Sequence, residues 1–501
     1  MTAALLGGRE TASVASYRVI AATACLAATA VLCGEALAAS AVATRAIVWA
    51  ALALACYCLG LLFLVGAVGA NGVGLSRWKF GPWILAWSVL AFGAATLTWS
   101  QVQTSTAAQI AVSSVLRALW LVAVALTCLA VGYIIGPGRP VRQLAGRAME
   151  ALGRRLSGTV RSLLTPWMLY AIGLAARFAS IVTTGRFGYV GDVSSAVSSA
   201  SGYGQYLSDL SLLAPLGVCA AALQVYGERR PKARLSLAVL FLAEIAFGAA
   251  AGGKASFVIA ILAVVIPLSA ARRRLPVAAC VVFTGVFLVV VIPFNQAYRG
   301  AARGSSETLT TSEALHSAPE ILQQTLTGQK ATALLPDSAT YLMQRIREID
   351  SPAIVMQRTP GQIPYSSPLQ LIEAPLVDMV PRVLWPGKPI LASGYQFSQE
   401  YYGLPSSLYT SSAITPIADL YRHGGWIPVI AGMCLLGCGV RVLDDVLDVR
   451  SNPHAVFLVL LLFPSLVNGE QDWQSLLASM PATMIVWLLA TALTFQPRSP
   501  R

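Results

Sequence analysis

The stretch VPRVLWPGKPILASGYQFSQEYYG (Val380 to Gly403), followed by PIADLYRHGGW (Pro416 to Trp426), lies in the longest segment of this chain that a lipid bilayer cannot accommodate. That segment, residues 294–425, holds twelve of the 27 prolines and no cysteine. Seven prolines fall between residues 360 and 390, which excludes a regular spanning helix there. Because the segment is also apolar, we expect it to pack on, or to dip into, the mouth of a helical bundle.

The rest of the chain has the composition of a polytopic membrane protein. Of 501 residues, 56% are hydrophobic and only 11% are charged. Apolar runs long enough to cross a bilayer of about 30 Å predict twelve spans. They are residues 19–39, 46–69, 81–99, 108–136, 166–184, 207–226, 235–253, 256–270, 276–293, 426–440, 453–468 and 475–494. We therefore expect an all-α integral membrane protein, a bundle of residues 1–293 and 426–501 with one large external loop, 294–425.

The distribution of charge predicts which ends of the spans face the cytoplasm. The formal net charge is +13, and the short segments on one side of the predicted spans hold 21 Lys and Arg against six acids. The loop 294–425 holds nine against ten. This is the positive-inside pattern, which predicts that both termini are cytoplasmic and argues against a nucleic-acid partner. We expect the protein in the plasma (inner) membrane. The basic segment 137–165 is typical of an amphipathic helix on the cytoplasmic leaflet, and we expect it to be helical over 139–163.

Neither a cofactor nor a metal is expected. All nine cysteines fall within apolar spans, where cysteine behaves as a small hydrophobe. The three histidines are dispersed, and the sequence contains no P-loop and no dinucleotide-binding fingerprint. Because no external Asp-x-Asp pair is present to hold a divalent metal with a nucleotide sugar, we expect a lipid-linked substrate instead of a soluble nucleotide.

The clear cases of charged residues within predicted spans are Arg117, Arg177 and Glu244. Charges inside a bilayer are costly, so each is a functional candidate. One interpretation is that Glu244 forms a bundle-internal salt bridge with one arginine. The other is that all three line the floor of an outward-facing aqueous cavity, where the arginines bind an anionic head group.

Cations and aromatic side chains recur on the predicted outer side. They suit a glycan on a pyrophosphate, since aromatic rings cover sugar faces and arginines bind phosphate oxygens. The alternatives are a snorkelling lysine at Lys254 and interfacial-belt aromatics around Trp385. Asp419 is a candidate general base. The further candidates are Arg186, Tyr298, Arg299, Arg303, Arg382, Lys388, Tyr395, Tyr421, Arg422, Glu470 and Asp472.

Four motifs stand out along the chain: a Gly-Gly-Lys turn (Gly252 to Lys254), Tyr298 with Arg299, the run Pro381 to Pro389, and the element Asp419 to Gly424. In these motifs and in its layout the chain resembles the Wzy-type O-antigen and oligosaccharide repeat-unit polymerases. The turn has lysine where that family more often has arginine, and the acid at 419 is aspartate where glutamate is common.

The resemblance implies a GT-C-like membrane glycosyltransferase at the outer face of the membrane. It would transfer a polyprenyl-pyrophosphate-linked oligosaccharide onto another lipid-linked repeat unit. Lys254, Arg299, Arg382 and Lys388 would then stabilise the pyrophosphate, and Asp419 would be the base. The bilayer, a chain-length regulator and a flippase are the further expected partners. The remaining alternatives are an O-antigen-ligase-like or other lipid-linked glycosyltransferase and a lipid-linked oligosaccharide flippase or transporter.

Overall fold

The computed structural model confirms an α-helical membrane protein. It describes residues 2–39, 42–68, 74–100, 107–184, 187, 204–295, 298, 323, 342–380, 384–385, 387–388, 393–405 and 411–497. Within these ranges, eleven helices are long and apolar enough to cross a membrane. A twelfth apolar helix, Pro453–Val467, has 15 residues. Each of the twelve predicted spans therefore coincides with a helix, and eleven of these helices have the length needed to cross.

The helices before the loop follow the predicted runs closely. The first six are α1 (Thr2–Ala38), α2 (Ala43–Val68), α3 (Phe80–Ser88, continued by other helical turns to Thr98), α4 (Val112–Ile135), α5 (Arg139–Arg155) and α6 (Thr165–Thr184). The next five are α7 (Gly204–Ser211), α8 (Leu213–Ala222), α9 (Ala233–Ala250), α10 (Lys254–Arg272) and α11 (Val277–Val286). Helix α10 is therefore longer than the span 256–270 that the sequence predicts.

The loop contributes short helices, and three long or apolar helices follow it. The loop helices are α12 (Asp350–Arg358), α13 (Gln370–Met379), α14 (Ser393–Tyr402) and α15 (Pro416–Arg422). The last three helices are α16 (Trp426–Val446), α17 (Pro453–Val467) and α18 (Trp473–Thr494). The span predicted at 426–440 is therefore extended by six residues, and α17 is the short one.

Glycines allow α4 and α16 to cross in close contact. A Cβ atom at Gly437 would overlap the carbonyl oxygen of Leu129, and one at Gly132 would overlap that of Cys434. The Cys438 thiol donates to the Gly132 oxygen at 3.3 Å. Small residues at such crossings let helix backbones approach, which matters in lipid because water does not drive the helices together.

The basic segments meet at one end of the bundle, here called the basic end. The Arg450 guanidinium donates to the backbone oxygens of Ser76 and Arg273, which joins three separate interhelical segments. Strand β1 (Leu156–Val160) pairs antiparallel with β2 (Phe495–Pro497). These contacts join three basic interhelical segments to one another, and they join a fourth, which contains β1, to the C-terminal segment.

The loop dips into the opposite end of the bundle, here called the loop end. At 1.5 Å per residue, α17 covers about 22 Å of a core about 30 Å thick. The Trp87 indole, inside the α3 span, donates to the Asn468 oxygen that follows α17 and to the Glu348 carboxylate. The Glu348 amide donates to the Ala91 oxygen of the same span. Loop residues thus fill the space that the short helix leaves.

One predicted helix was wrong in extent. The segment 139–163 is helical only to Arg155, because Leu156–Val160 instead pairs with β2 at the distant end of the chain. Asp337 to Asp350, which has a helical pattern, is interrupted at residues 347–348, and α12 begins only at Asp350. Residues 337–341 lie outside the described part of the chain.

Candidate functional site

The short helix α15 positions the acid-containing element at the loop end. Thr415 is its N-cap, since the hydroxyl accepts from the Ala418 amide at 3.2 Å, and Pro416 occupies the first turn. The Ser351 hydroxyl of α12 donates to the Thr415 hydroxyl at 3.2 Å. The cap therefore fixes where α15 starts and also ties it to α12, which holds Asp419 in one orientation.

Asp419 lies at the centre of a buried polar network. Its side chain is fully buried, and its Oδ1 accepts from Arg422 Nε at 2.7 Å. Its Oδ2 accepts from the Trp473 amide at 2.9 Å, at the positive N-terminus of α18. Burial raises the pKa of Asp419, and the Arg422 charge opposes that rise. The carboxylate thus joins α15 to α18 and holds the arginine in place.

His423 extends this network towards α18. Its Nδ1 lies 2.7 Å from the Asp419 backbone oxygen, which can only accept, so Nδ1 carries the proton. Its Nε2 then accepts from the Gln474 amide nitrogen at 3.2 Å. Burial lowers the pKa of His423 and favours this neutral form. His423 is therefore an oriented, neutral imidazole one residue beyond α15.

The two acids before α18 have structural partners. Asp472 caps the helix, because its carboxylate accepts from the Ser475 amide at 2.7 Å. Its negative charge also contributes to raising the pKa of Asp419. Glu470 forms an ion pair with Arg345 at 3.3 Å. Both residues belong to the loop end, as predicted, with Asp472 buried and Glu470 partly exposed.

Aromatic rings and one arginine form a rim beside this network. The Tyr421 ring lies 6.3 Å from Tyr365 and 6.3 Å from Trp426. Burial raises the pKa of Tyr421 to about 12, with the Arg117 charge nearby opposing the rise. Arg117 is exposed, and Trp426 is 40% exposed. We call Arg117, Tyr365, Tyr421 and Trp426 the aromatic rim.

Gly425 allows the rim to close. It has φ of +73°, and a Cβ atom there would lie 3.0 Å from the Tyr365 hydroxyl. The Ser366 amide donates to the Arg422 backbone oxygen at 2.9 Å, which brings the segment after α12 against the end of α15. The rim is thus built from α4, from the loop around Tyr365 and from the adjoining helices α15 and α16.

Arg177 and Glu244 form the bundle-internal ion pair that was one of the two sequence interpretations. The Arg177 guanidinium donates to both Glu244 oxygens at 2.7 Å. Its carbon also lies 4.6 Å from the centre of the Phe247 ring. Glu244 is 1% exposed, so the pair is shielded, and Arg177 is neutralised within the bundle. Arg117 lies separately, in the aromatic rim, where it donates to the Ser114 hydroxyl at 3.1 Å.

The Gly-Gly-Lys turn is joined to the start of the loop. The Tyr298 hydroxyl donates to the Ala250 oxygen at 2.8 Å, and the Asn295 amide donates to the Gly252 oxygen. Both side chains are buried. The turn that precedes residue 254 therefore lies beside the start of the loop at residues 295 and 298. The resemblance predicts that these two regions act together. Asn295 was not among the sequence candidates, although it precedes Tyr298 by only three residues.

The remaining candidates are less closely connected. Lys388 is 5% exposed and donates to the Val380 oxygen at 3.3 Å. Trp385 is 42% exposed, and Tyr395 is partly buried on α14. The side chain of Lys254 and all of Arg186, Arg299, Arg303 and Arg382 lie outside the described part of the chain.

Glu348 is a functional candidate that sequence reasoning missed. It is 6% exposed and accepts from the Trp87 indole at 2.7 Å. Burial raises its pKa well above the usual range, and the Glu470 charge adds to the rise. Its sequence context, Arg-Glu-Ile-Asp, is that of an exposed helix, so only the dip of the loop into the bundle reveals it.

Comparisons with known proteins identify a family without assigning an activity. Neither a curated protein nor a solved structure matches the chain. One family model, described as a domain of unknown function, DUF8712, matches residues 181–446. This region runs from the end of α6 to the end of α16 and includes the loop, the Gly-Gly-Lys turn and Asp419. Because the match covers more than half of its length, the chain belongs to the DUF8712 family.

Proposed function

We propose that this protein is a membrane glycosyltransferase of the repeat-unit polymerase type. It would act at the outer face of the plasma membrane, with the loop end outside. The donor would be an oligosaccharide on polyprenyl pyrophosphate, and the acceptor would be the terminal sugar of a second lipid-linked unit. The proposal rests on the chemistry of the loop end and on the resemblance in layout.

The observation that carries the proposal is the aromatic rim above a buried ionic network. Arg117, exposed beside Tyr421, offers a planar cation for pyrophosphate oxygens. Tyr365 and Trp426 offer partly exposed rings that suit the apolar faces of sugars. This combination of cation and aromatic rings at the mouth of a membrane bundle fits a glycan that is anchored in lipid by its phosphate.

The proposed reaction needs a base and a stabilised leaving group. The acceptor hydroxyl attacks the anomeric carbon, its proton passes to a base, and the bond from that carbon to the pyrophosphate oxygen breaks. Cations aimed at the departing pyrophosphate lower the barrier. Arg299, Arg382, Lys254 and Lys388 remain the predicted cations for this step.

Asp419 fits a positioning role in the arrangement described above. A general base must come within about 2.6–3.2 Å of the proton it removes. Both Asp419 oxygens instead accept from protein groups, so the carboxylate orients Arg422 and the α15–α18 junction. Its role as the base stays a prediction for the substrate-bound state, in which a sugar hydroxyl would replace one of these contacts.

The first experiment is deletion of the gene, with electrophoresis of surface glycan and lipid-linked intermediates after metabolic lipid labelling. A polymerase predicts loss of long polymer and accumulation of single repeat units on the outer face. Accumulation on the inner face would identify a flippase, and complete polymer retained on its lipid carrier would identify a ligase. Either outcome refutes the polymerase proposal.

Site variants then test the aromatic rim. We expect Arg117→Ala to reduce polymer by at least about tenfold, since a charged hydrogen bond to phosphate contributes about 1.5–3 kcal/mol. Arg45→Ala is the matched control, because Arg45 is an exposed arginine at the start of α2. Arg299→Ala and Arg382→Ala should abolish polymer with normal protein level. Normal chain length in Arg117→Ala would remove the rim from the substrate site.

A further inference from the structure

A deep apolar cleft lies at the basic end, on the opposite side of the membrane from the aromatic rim. It has a volume of about 620 Å³, within the range of ligand pockets. One wall is α5, through Ala145, Ala148, Met149 and Ala151. The facing wall belongs to the last three helices and consists of Val442, Leu443, Val446, Leu447, Leu458, Met484, Trp487 and Leu488. Alanines on α5 thus leave a gap where larger side chains would close it.

The cleft lies within the leaflet at the basic end. Along α18 its lining residues run from Met484 to Leu488, and Met484 lies ten residues before Thr494, where that helix ends. At 1.5 Å per residue, ten residues are about 15 Å, which is half of a hydrocarbon core about 30 Å thick. Leu488 is 48% exposed and its neighbour Ile485 is 66% exposed, so the cleft opens sideways onto the lipid-facing surface of α18.

The entrance of the cleft carries a cation. Arg155, exposed at the end of α5, is the charged residue among those that line the cleft. That helix carries five arginines and one glutamate, an excess that attracts anionic lipid head groups by about 1 kcal/mol per residue. Asp445, on the far side, is paired with Arg441 at 2.9 Å. The charge at the entrance therefore complements a phosphate group.

We propose that this cleft binds an anionic glycerophospholipid of the leaflet at the basic end. One acyl chain would lie between α5 and α18, and the phosphate would contact Arg155. The lipid would anchor α5 to the bundle and fill a gap that no side chain fills. This site is independent of the proposed glycosyltransferase activity, because it lies at the other end of the molecule.

Native mass spectrometry of the full-length protein tests the proposal. The protein is purified in detergent and equilibrated with phosphatidylglycerol or phosphatidylcholine of identical acyl chains. We expect retention of one phosphatidylglycerol, and Ala148→Phe should reduce retention of either lipid by at least about tenfold because it fills the cleft. Leu144→Phe is the control, since Leu144 is 70% exposed on α5 and does not line the cleft.

Two arginine variants test the contribution of charge to lipid binding. Arg155→Ala should reduce the preference for phosphatidylglycerol about fivefold, whereas Arg147→Ala, on the same helix outside the cleft, should change it less. Equal retention by Ala148→Phe and the unaltered protein would overturn the proposal, as would equal effects of the two arginine variants.

A crosslinking experiment on the unaltered protein does not depend on the folding of any variant. Phosphatidylglycerol with a photoreactive acyl chain should label the peptide that contains Met484 and Leu488. Labelling spread evenly over the spans would refute a specific site.

Discussion

Replacing Asp419 by alanine should be among the most destabilising single changes at the loop end. The side chain is fully buried and pairs with Arg422, whose side chain is 10% exposed. Breaking such a pair leaves a buried charge and costs about 3–5 kcal/mol. The Trp473 amide also loses its 2.9 Å acceptor, and an orphaned buried amide costs about 1–3 kcal/mol. We therefore expect the free energy of unfolding to fall by at least about 3 kcal/mol.

Two further variants should lower the free energy of unfolding by smaller amounts. Asp419→Asn keeps one oxygen acceptor and should cost less than alanine. Asp472→Ala removes only the cap of α18 and should cost about 0.5–2 kcal/mol. The assay is unfolding of the purified protein by dodecyl sulfate in mixed micelles, followed by tryptophan fluorescence. If Asp419→Ala lies within about 1 kcal/mol of the unaltered protein, the buried network does not hold α15 to α18.

The same variants separate the two roles of Asp419. A positioning residue should leave Asp419→Asn with part of its polymer-forming activity and with an unchanged pH profile. A general base should leave it inactive at every pH. Protein level and fluorescence-detected elution confirm that each variant is folded before activity is compared.

The other predictions concern packing, protonation and topology. Gly437→Leu should disrupt the crossing of α4 and α16 and lower the yield of folded protein. Gly439→Leu should leave the yield unchanged, because a Cβ atom there meets open space. Equal yields of the two variants would contradict the packing argument. The folded-state pKa of Glu348 lies above the unfolded value of 4.5, so its contribution to stability is complete below that pH and is lost as the pH rises through the folded pKa. Thermal unfolding should therefore show Glu348→Gln gaining stability relative to the unaltered protein as the pH rises above 4.5, and parallel curves would refute this. Ser393→Cys should react with an impermeant thiol reagent from outside the cell, and reaction only after permeabilisation would reverse the orientation.

Some contacts followed from local chemistry and others did not. The apolar runs and the Gly-Gly-Lys turn were predictable, because helix length and turn residues depend on nearby sequence. The partner of Glu244 could not be predicted. A span reveals that a charge is buried, but Arg117 and Arg177 were equally plausible partners until the packing of α6 against α9 brought Arg177 to 2.7 Å.

The membrane class, the predicted grouping of basic loops and the segment that carries the candidate chemistry all follow from the amino-acid sequence alone. These depend on composition and on the spacing of apolar residues along the chain. Only the tertiary structure decided that Asp419 is enclosed by Arg422 and Trp473, that Glu348 enters the bundle, and that α5 stands over an apolar cleft. The physical reason is that burial and pairing depend on contacts between residues up to hundreds of positions apart, and a single sequence does not encode those contacts in any local pattern.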